Sequence, residues 1–261
     1  VAEDASTIYF NPAGLAYLPM GHNFSVAATA IQRSGEFSDR GTQPYRIPLN
    51  QTGTLVGQAA LGSDGGDGGG VSVIPALYWA YAITPDLRVG LGISAPYGSK
   101  TDYNSNFIGR FSGRYTSVET LNIDPSIAYR FNDVITVGFG LNYSKTEIEL
   151  HQAVPAGAGA LIGVSGGRTF VSLNETEARL SGDGSAWGWN IGTMINVTPS
   201  TRLGIAYRST LDNDLDGKAK FQNGAPGYNI KASRELPDNF SVALNQKIGQ
   251  DLEILADATW T

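Results

Sequence analysis

The chain has 261 residues, of which 33 are glycine, and only 16 % of its residues are charged. Its net charge of −6 argues against a nucleic-acid partner, and the lack of cysteine excludes disulfide scaffolds and thiolate metal sites. No apolar run reaches the roughly 18 residues of a transmembrane helix. High glycine content with low charge favours a protein made of strands and turns.

The first 22 residues do not alternate. They are apolar, but Asn11-Pro12-Ala13-Gly14 and Pro19-Met20-Gly21 interrupt any long strand or helix, so we expect an irregular segment that needs to be covered. A first strand is predicted over 23–37. A long polar connection then runs over 37–70 and ends in a glycine-rich stretch at 63–70.

The clearest pattern in the chain is a hairpin of two strands at 121–131 and 135–145. Every second residue is apolar or aromatic, and the residues between them are small or polar, including Asp124 and Arg130. Each strand is long enough to cross a bilayer when tilted, which takes about 9–11 residues. The hairpin is therefore predicted to be transmembrane, with its apolar face toward lipid and its polar face inward.

The same period of two predicts seven further strands. They are the first strand and those at 71–83, 87–98, 187–197, 203–207, 240–248 and 252–260. Short connections alternate with long ones, and the longest is a predicted loop over 150–184. Outer-membrane barrels place short turns at the periplasmic end and long loops outside. The chain is thus predicted to be an all-β, transmembrane, antiparallel up-and-down β-barrel (23–261) with a partial N-terminal hatch (1–22) in its lumen.

Four stretches of the sequence resemble one known family. They are Glu3-Asp4-Ala5-Ser6-Thr7 leading into Asn11-Pro12-Ala13-Gly14-Leu15, then Gly92-Ile93-Ser94-Ala95-Pro96-Tyr97-Gly98, Leu121-Asn122-Ile123-Asp124-Pro125-Ser126-Ile127-Ala128-Tyr129, and Trp187-Gly188-Trp189-Asn190. In these stretches the chain resembles the long-chain fatty acid and aromatic hydrocarbon transporters of the Gram-negative outer membrane. Such a protein would have about fourteen strands, and we predict about nine, so we expect a family member cut at both ends.

The resemblance implies a barrel whose lumen is blocked by the hatch, with Asn11, Pro12 and Ala13 as its signature. It also implies an inward kink in the third strand that opens the wall sideways, here at Pro96, Tyr97 and Gly98. Proline and glycine are unusual within a strand except at an edge, bulge or opening, although the strand could also simply end there. The fatty acid transporter carries a basic residue after the position of Glu147-Ile148-Glu149. This chain has Leu150 and His151 instead, which favours a neutral hydrocarbon over a carboxylate.

The predicted function is a passive outer-membrane channel for hydrophobic small molecules, without catalysis, cofactor or metal. We expect a monomer whose partners are its substrate and outer-membrane lipid or detergent. Capture is assigned to Leu161, Ile162, Val164 and Phe170 of the 150–184 loop, and the substrate pocket to Tyr9, Phe10, Ile31, Ile74 and Tyr78. Two alternatives remain, a hydrophilic porin and a soluble secreted β-sandwich that binds glycans.

Three other features of the sequence are interpreted as structural and not as catalytic, metal or substrate sites. Gly163-Val164-Ser165-Gly166-Gly167 matches a nucleophile elbow but lacks the strand and helix that such an elbow needs. Asp212, Asp214 and Asp216 resemble the start of a calcium loop, but position twelve is Asn223, so an acidic external loop is expected. Ion-pair ladders across the barrel wall are predicted for Arg88, Asp124, Arg130, Arg202, Arg208 and Lys247.

Overall fold

The computed structural model describes residues 4–249 and 251–261; Glu3 of the first motif and Gln250, between the last two predicted strands, lie outside them. A short helix α1 (Thr7–Phe10) and a 3₁₀ helix (Pro12–Tyr17) precede the strands. These are β1 (His22–Arg33), β2 (Arg46–Pro48), β3 (Leu55–Gln58), β4 (Gly70–Ala82), β5 (Leu87–Ser94), β6 (Gly98–Asp102), β7 (Tyr115–Arg130), β8 (Ile135–Ser165), β9 (Arg168–Thr198), β10 (Thr201–Arg208), β11 (Leu211–Phe221), β12 (Tyr228–Leu236), β13 (Asn239–Ile248) and β14 (Leu252–Trp260). No described helix is long and apolar enough to span a membrane.

One sheet contains the 14 described strands, and all its pairs are antiparallel except the short parallel pair of β3 with β9. Its main path runs β1-β4-β5-β7-β8-β9-β10-β13-β14, and these are the nine strands that the period-two pattern predicts. The other five pair beside this path, with β6 on β7, β11 on β9, β12 on β11, and β2 joined to β9 through β3. Within the described residues no ladder joins β1 to β14. The all-β, antiparallel prediction is confirmed.

The sheet is inside out compared with that of a soluble protein. Along β8 the apolar Leu141 is 45 % exposed while the next residue, Asn142, is 1 % exposed. In the membrane-facing parts of β7, β8 and β9 most large apolar and aromatic side chains lie on this outer face, whereas the inner face buries mainly serine, threonine, asparagine and glycine, with Met194 as an exception. A soluble sheet buries its apolar side, so this arrangement fits a wall with lipid outside.

The apolar band has a defined upper edge. On the outer face it ends at the cross-strand pair Tyr143 and Trp187, and the next outward residues of β8 are Lys145 and Glu147. The band therefore covers the half of each long strand that adjoins the short turns. The charged continuation projects beyond it on the long-loop side.

The predicted loops contain more strand than expected, and the loop prediction for 150–184 is wrong. Strands β8 and β9 continue through it as a hairpin, with 31 residues in each strand. Gly166 and Gly167 close that hairpin with positive φ angles of 56° and 73°, which glycine adopts readily. Outside the membrane neither face of the sheet needs to be apolar, so the sequence there has no alternation from which strands could be predicted. The segments 208–239 and 37–70 likewise contain β11 with β12 and β2 with β3.

Candidate functional site

The N-terminal segment lies against the inner face of the sheet, and Asn11 makes its most extensive contacts. Asn11 Oδ1 accepts a hydrogen bond from the Ala13 amide at 3.1 Å, which caps the 3₁₀ helix, and Pro12 occupies the first helical position, where no amide is needed. Asn11 Nδ2 donates to the carbonyls of Thr193 on β9 (3.2 Å) and Ile205 on β10 (3.3 Å). One side chain therefore holds the segment to two strands.

Arginines on the inner face bind the same segment. Arg208 donates to the Tyr9 carbonyl at 2.7 Å, and its guanidinium lies 4.3 Å from the centre of the Tyr9 ring. Arg130 donates to the Ala16 carbonyl. The Tyr17 ring is contacted by Arg130 and by Arg202, at 5.2 and 4.0 Å. These cations therefore bind carbonyls and rings of the N-terminal segment.

The predicted ion-pair ladder is wrong. Arg208 and Asp124 approach only to 3.7 Å, and this is the one ion pair that the described residues show within the predicted set. Arg88 donates to the carbonyls of its own turn, and Lys247 is exposed. The ladder prediction considered only the barrel wall, in which an inward-facing arginine can pair only with side chains of other strands. Carbonyls at the helix ends of a packed segment are additional acceptors.

Apolar packing completes the contact between segment and wall. Ile8, Leu15 and Leu18 form a buried cluster with Tyr78, Ala80 and Ala128 of the sheet. Glycines on the inner face make room for it: a Cβ atom at Gly138 would lie 2.2 Å from the Ala13 nitrogen, and one at Gly90 would lie 2.7 Å from the end of Ile8. The alternation of glycine with polar residues thus matches the surface of the N-terminal segment.

A break separates β5 from β6 at residues 95–97. The ladder of β5 with β4 ends at the pair Ala76 and Ser94, and the continuation β6 pairs with β7 alone. The portion of β4 over 70–75 consequently has β1 on one side and no strand pairing on the other. A cavity of about 640 Å³ occupies this position, and we call it the side gap.

Tyr97 connects the side gap to the interior. Its main chain is held to β7, because its amide donates to Thr120 Oγ1 at 3.0 Å and the Thr120 hydroxyl donates back to its carbonyl. Its side chain packs on Ala186, Leu211 and Leu236. Pro96 and Gly98 flank it. At the far end of the side gap, Arg33 of β1 donates to Ser99 Oγ and the Lys100 carbonyl of β6.

The five predicted pocket residues fall into three places. Ile31 and Ile74 line the side gap. Tyr9 and Tyr78 pack in or against the buried cluster beneath it. Phe10 touches Tyr9 edge-on at 5.3 Å but is 70 % exposed and lines a second cavity, of about 450 Å³, between α1 and strands β10, β13 and β14. The structure therefore places two of them in the side gap and two in or against the buried cluster, and Phe10 faces a different cavity.

The residues predicted to capture substrate lie at the tip of the β8–β9 hairpin, and not in a loop as expected. Leu161, Ile162 and Val164 are exposed there, whereas Phe170 pairs beside Val56 of β3 and carries Arg46 5.3 Å above its ring. Below this tip, Glu175 of β9 makes a bidentate contact with Arg110 of the connection between β6 and β7, both bonds being 2.7 Å.

The acidic residues interpreted as an external loop belong to strand β11. Alternation turns Asp212, Asp214 and Asp216 to its exposed face, in a line along the strand and not around a point. Asp216 pairs with Lys231 at 3.2 Å, and the described residues contain no acidic or histidine group arranged to hold a metal. Ser165 of the predicted elbow pattern is exposed at the tip of the β8–β9 hairpin.

The sequence interpretation missed the contacts through which the wall binds the N-terminal segment and Tyr97. Thr120, Asn190 and Arg208 are the main examples: Asn190, named only within a family motif, donates to the Ile8 carbonyl, and Arg208, assigned to the ladder, and Thr120 make the contacts described above. The sequence indicates these residues only by their positions, since each falls at an inward-facing position of a strand's period-two pattern. Their partners are main-chain atoms, which leave no trace in the sequence.

Comparisons with known proteins agree with this architecture. Residues 1–261 match the family described as "Outer membrane protein transport protein (OMPP1/FadL/TodX)". The long-chain fatty acid transport protein of Salmonella typhi is 28 % identical over 225 residues, covering 83 % of this chain and 47 % of the relative. The chain thus spans about half the length of that curated relative.

Two crystal structures share the fold. A Pseudomonas aeruginosa FadL homologue superimposes on the chain with a TM-score of 0.73 and 19 % identity, covering 100 % of this chain and 64 % of its own. The Ralstonia pickettii toluene transporter TbuX gives a TM-score of 0.64 at 19 % identity, covering 99 % and 67 %. At this identity the likeness concerns the fold.

Proposed function

Because the chain belongs to the outer membrane transport protein family (OMPP1/FadL/TodX), whose members are transporters and not enzymes, we propose that it is a passive channel for hydrophobic small molecules, long-chain fatty acids or hydrocarbons. The relatives are named for fatty acid transport and for toluene transport. The inside-out sheet supports residence in the outer membrane, since its apolar band requires lipid.

The side gap is the observation that carries the proposal. A hydrophobic molecule gains little by entering the aqueous periplasm, because each CH₂ group that it exposes to water costs about 0.8 kcal/mol. A lateral route into the bilayer avoids that cost. The side gap offers such a route, as Ile31, Ile74 and Tyr97 line it and strand pairing between β4 and β6 is missing. We propose that substrate leaves the interior there.

The N-terminal segment acts in this proposal as the hatch. It covers the inner face near the short turns through Asn11, Pro12 and Ala13, which opposes axial flow of water and ions. A hydrophilic porin would instead need an open, charge-lined lumen at this level. The hatch leaves the side gap uncovered, so it is compatible with lateral passage.

Uptake into liposomes tests the proposal. Bilayers containing the protein should take up octane faster than protein-free bilayers and should remain tight to glucose, because the hatch blocks the axial route. Equal entry of glucose and octane would support the porin instead. The variant Pro96→Val with Gly98→Thr should fold, since a Cβ at Gly98 meets only the Val118 carbonyl at 3.5 Å. It should lower octane uptake toward background by favouring a continuous strand.

A further inference from the structure

A row of polar side chains crosses the inner face of the sheet next to the side gap. Ser94 on β5, Asn122 on β7 and Ser144 on β8 are successive register partners, and Ser94 belongs to the last pair before the side gap begins. They are 6 %, 1 % and 0 % exposed. Ser94 Oγ, Asn122 Oδ1 and Ser144 Oγ have no hydrogen-bond partner among residues 4–249 and 251–261. We call these three residues the polar row.

Asp124 adds a carboxylate beside the polar row. It is two residues from Asn122 on the same face of β7, it is fully buried, and neither of its oxygens has a hydrogen-bond partner among the described residues. Arg208, at 3.7 Å, donates its hydrogen bonds to Asn142 and to the Tyr9 carbonyl. The unpartnered atoms are therefore mainly acceptors, together with serine hydroxyls that can accept or donate.

Tyr78 lies beside this group on the inner face. It is the register partner of Gly92 on β5, two residues from Ser94 on the same face, and it is buried. Ile31 and Ile74 give the side gap an apolar side, while charged residues lie elsewhere in its lining. Two of its lining residues adjoin the polar row: Ala95 follows Ser94, and Thr120 lies two residues from Asn122 on the same face of β7. A molecule that enters with its apolar part in the side gap would place its other end on the polar row.

Building on the proposed function, we propose that the polar row binds the hydroxyl head group of an otherwise apolar molecule, an alcohol or a phenol. Buried polar atoms without partners are costly, and a hydroxyl can both donate to Asn122 Oδ1 and accept from a serine. A hydrocarbon offers neither bond. A carboxylate would bring a second negative charge close to Asp124, in a buried site where such repulsion is poorly screened.

A matched set of ligands tests the inference. Octanol, octane and octanoate share one chain length and differ in the head group, and octanoate is ionised when the pH is well above its pKa. Binding to protein in lipid nanodiscs, corrected for partition into empty nanodiscs, should be about tenfold tighter for octanol than for octane, the effect of one net hydrogen bond. It should also be tighter for octanol than for octanoate, whose charge Asp124 repels. Equal binding of octanol and octanoate would overturn the inference.

Substitutions separate a head-group site from a structural role. The double variant Ser94→Ala with Ser144→Ala should weaken octanol binding about tenfold and leave octane uptake unchanged. It should not lower the melting temperature, because the hydroxyls it removes have no protein partner. Thr146→Val is the matched control: this buried hydroxyl bonds Asn213 at 3.3 Å, so its loss should lower stability and leave octanol binding unchanged.

Three outcomes are distinguishable. Loss of octanol binding with retained octane uptake supports the inference. Unchanged octanol binding in the double variant would overturn it and would mean that the polar row holds water only. If wild-type protein accelerates neither octane nor octanol uptake, the proposed function fails and the inference fails with it.

Discussion

Replacing Asn11 by alanine tests how the hatch is held. The substitution removes the cap of the 3₁₀ helix, worth about 1 kcal/mol, and two hydrogen bonds to the carbonyls of Thr193 and Ile205, worth about 1 kcal/mol each. The total of about 3 kcal/mol corresponds to a roughly hundredfold rise in the equilibrium constant for opening the hatch. The strands themselves keep their ladders, so the barrel wall should remain folded.

Two matched variants separate the contributions. Asn11→Asp keeps the capping oxygen but loses both donated bonds to the wall, so it should open the hatch nearly as much as Asn11→Ala. Asn23→Ala removes an exposed amide that bonds only Pro19 and Gly21 and should leave the hatch closed.

Hydrogen exchange measured by mass spectrometry in nanodiscs provides the assay. Amides of residues 7–18 should exchange about a hundredfold faster in Asn11→Ala than in wild type, while those of β8 should exchange at the wild-type rate. Unchanged protection of residues 7–18 would refute the assignment of Asn11 as the main tie. Faster exchange in β8 as well would show that the substitution unfolds the wall.

Other expected outcomes follow from single contacts. Gly138→Ala should displace the hatch and raise glucose leakage in the liposome assay, because its Cβ would lie 2.2 Å from the Ala13 nitrogen. Spin labels at 127 and 141 should be accessible to oxygen and protected from water-soluble quenchers, with the reverse at 147, since the apolar band ends between them. The pKa of Glu177 on the projecting hairpin is lowered: burial opposes this, but hydrogen bonds from Arg179 and Arg114 prevail. The ionised carboxylate therefore stabilises the hairpin fully above the ordinary glutamate pKa, and this stabilisation is lost as pH falls through the lowered pKa. In Glu177→Gln the protection of hairpin amides from hydrogen exchange should depend less on pH.

The membrane-facing half of the fold could be predicted from the sequence because lipid imposes a strict alternation there. Leu121, Ile127 and Leu141 face lipid and are apolar, and their inward neighbours are small or polar, which leaves room for the N-terminal segment. The projecting half could not be predicted in the same way. With water on both faces, the stretch around Ala158 and Leu161 has no reason to alternate, and irregular register there disrupts the pattern further.

The candidate site likewise has one part that the sequence predicts and one part that it does not. The break at Pro96 and Gly98 was visible because proline and glycine disfavour a regular ladder. The polar row was not, since Ser94 and Ser144 match any inward position of a barrel strand. Only the register of three strands brings them together with Asn122.

Closing the side gap with a cleavable cross-link tests lateral exit most directly. The chain has no cysteine, so a cysteine pair can be introduced cleanly at Ser72→Cys on β4 and Ser99→Cys on β6, which both line the side gap. A short, reducible reagent that reacts with two thiols can then join them. The control pair, Leu77→Cys with Ile93→Cys, joins register partners of the intact β4–β5 ladder. Lateral exit predicts that octane uptake falls to background in the cross-linked first pair, returns on reduction, and is unaffected in the control. Wild-type uptake by the fully cross-linked first pair would contradict it.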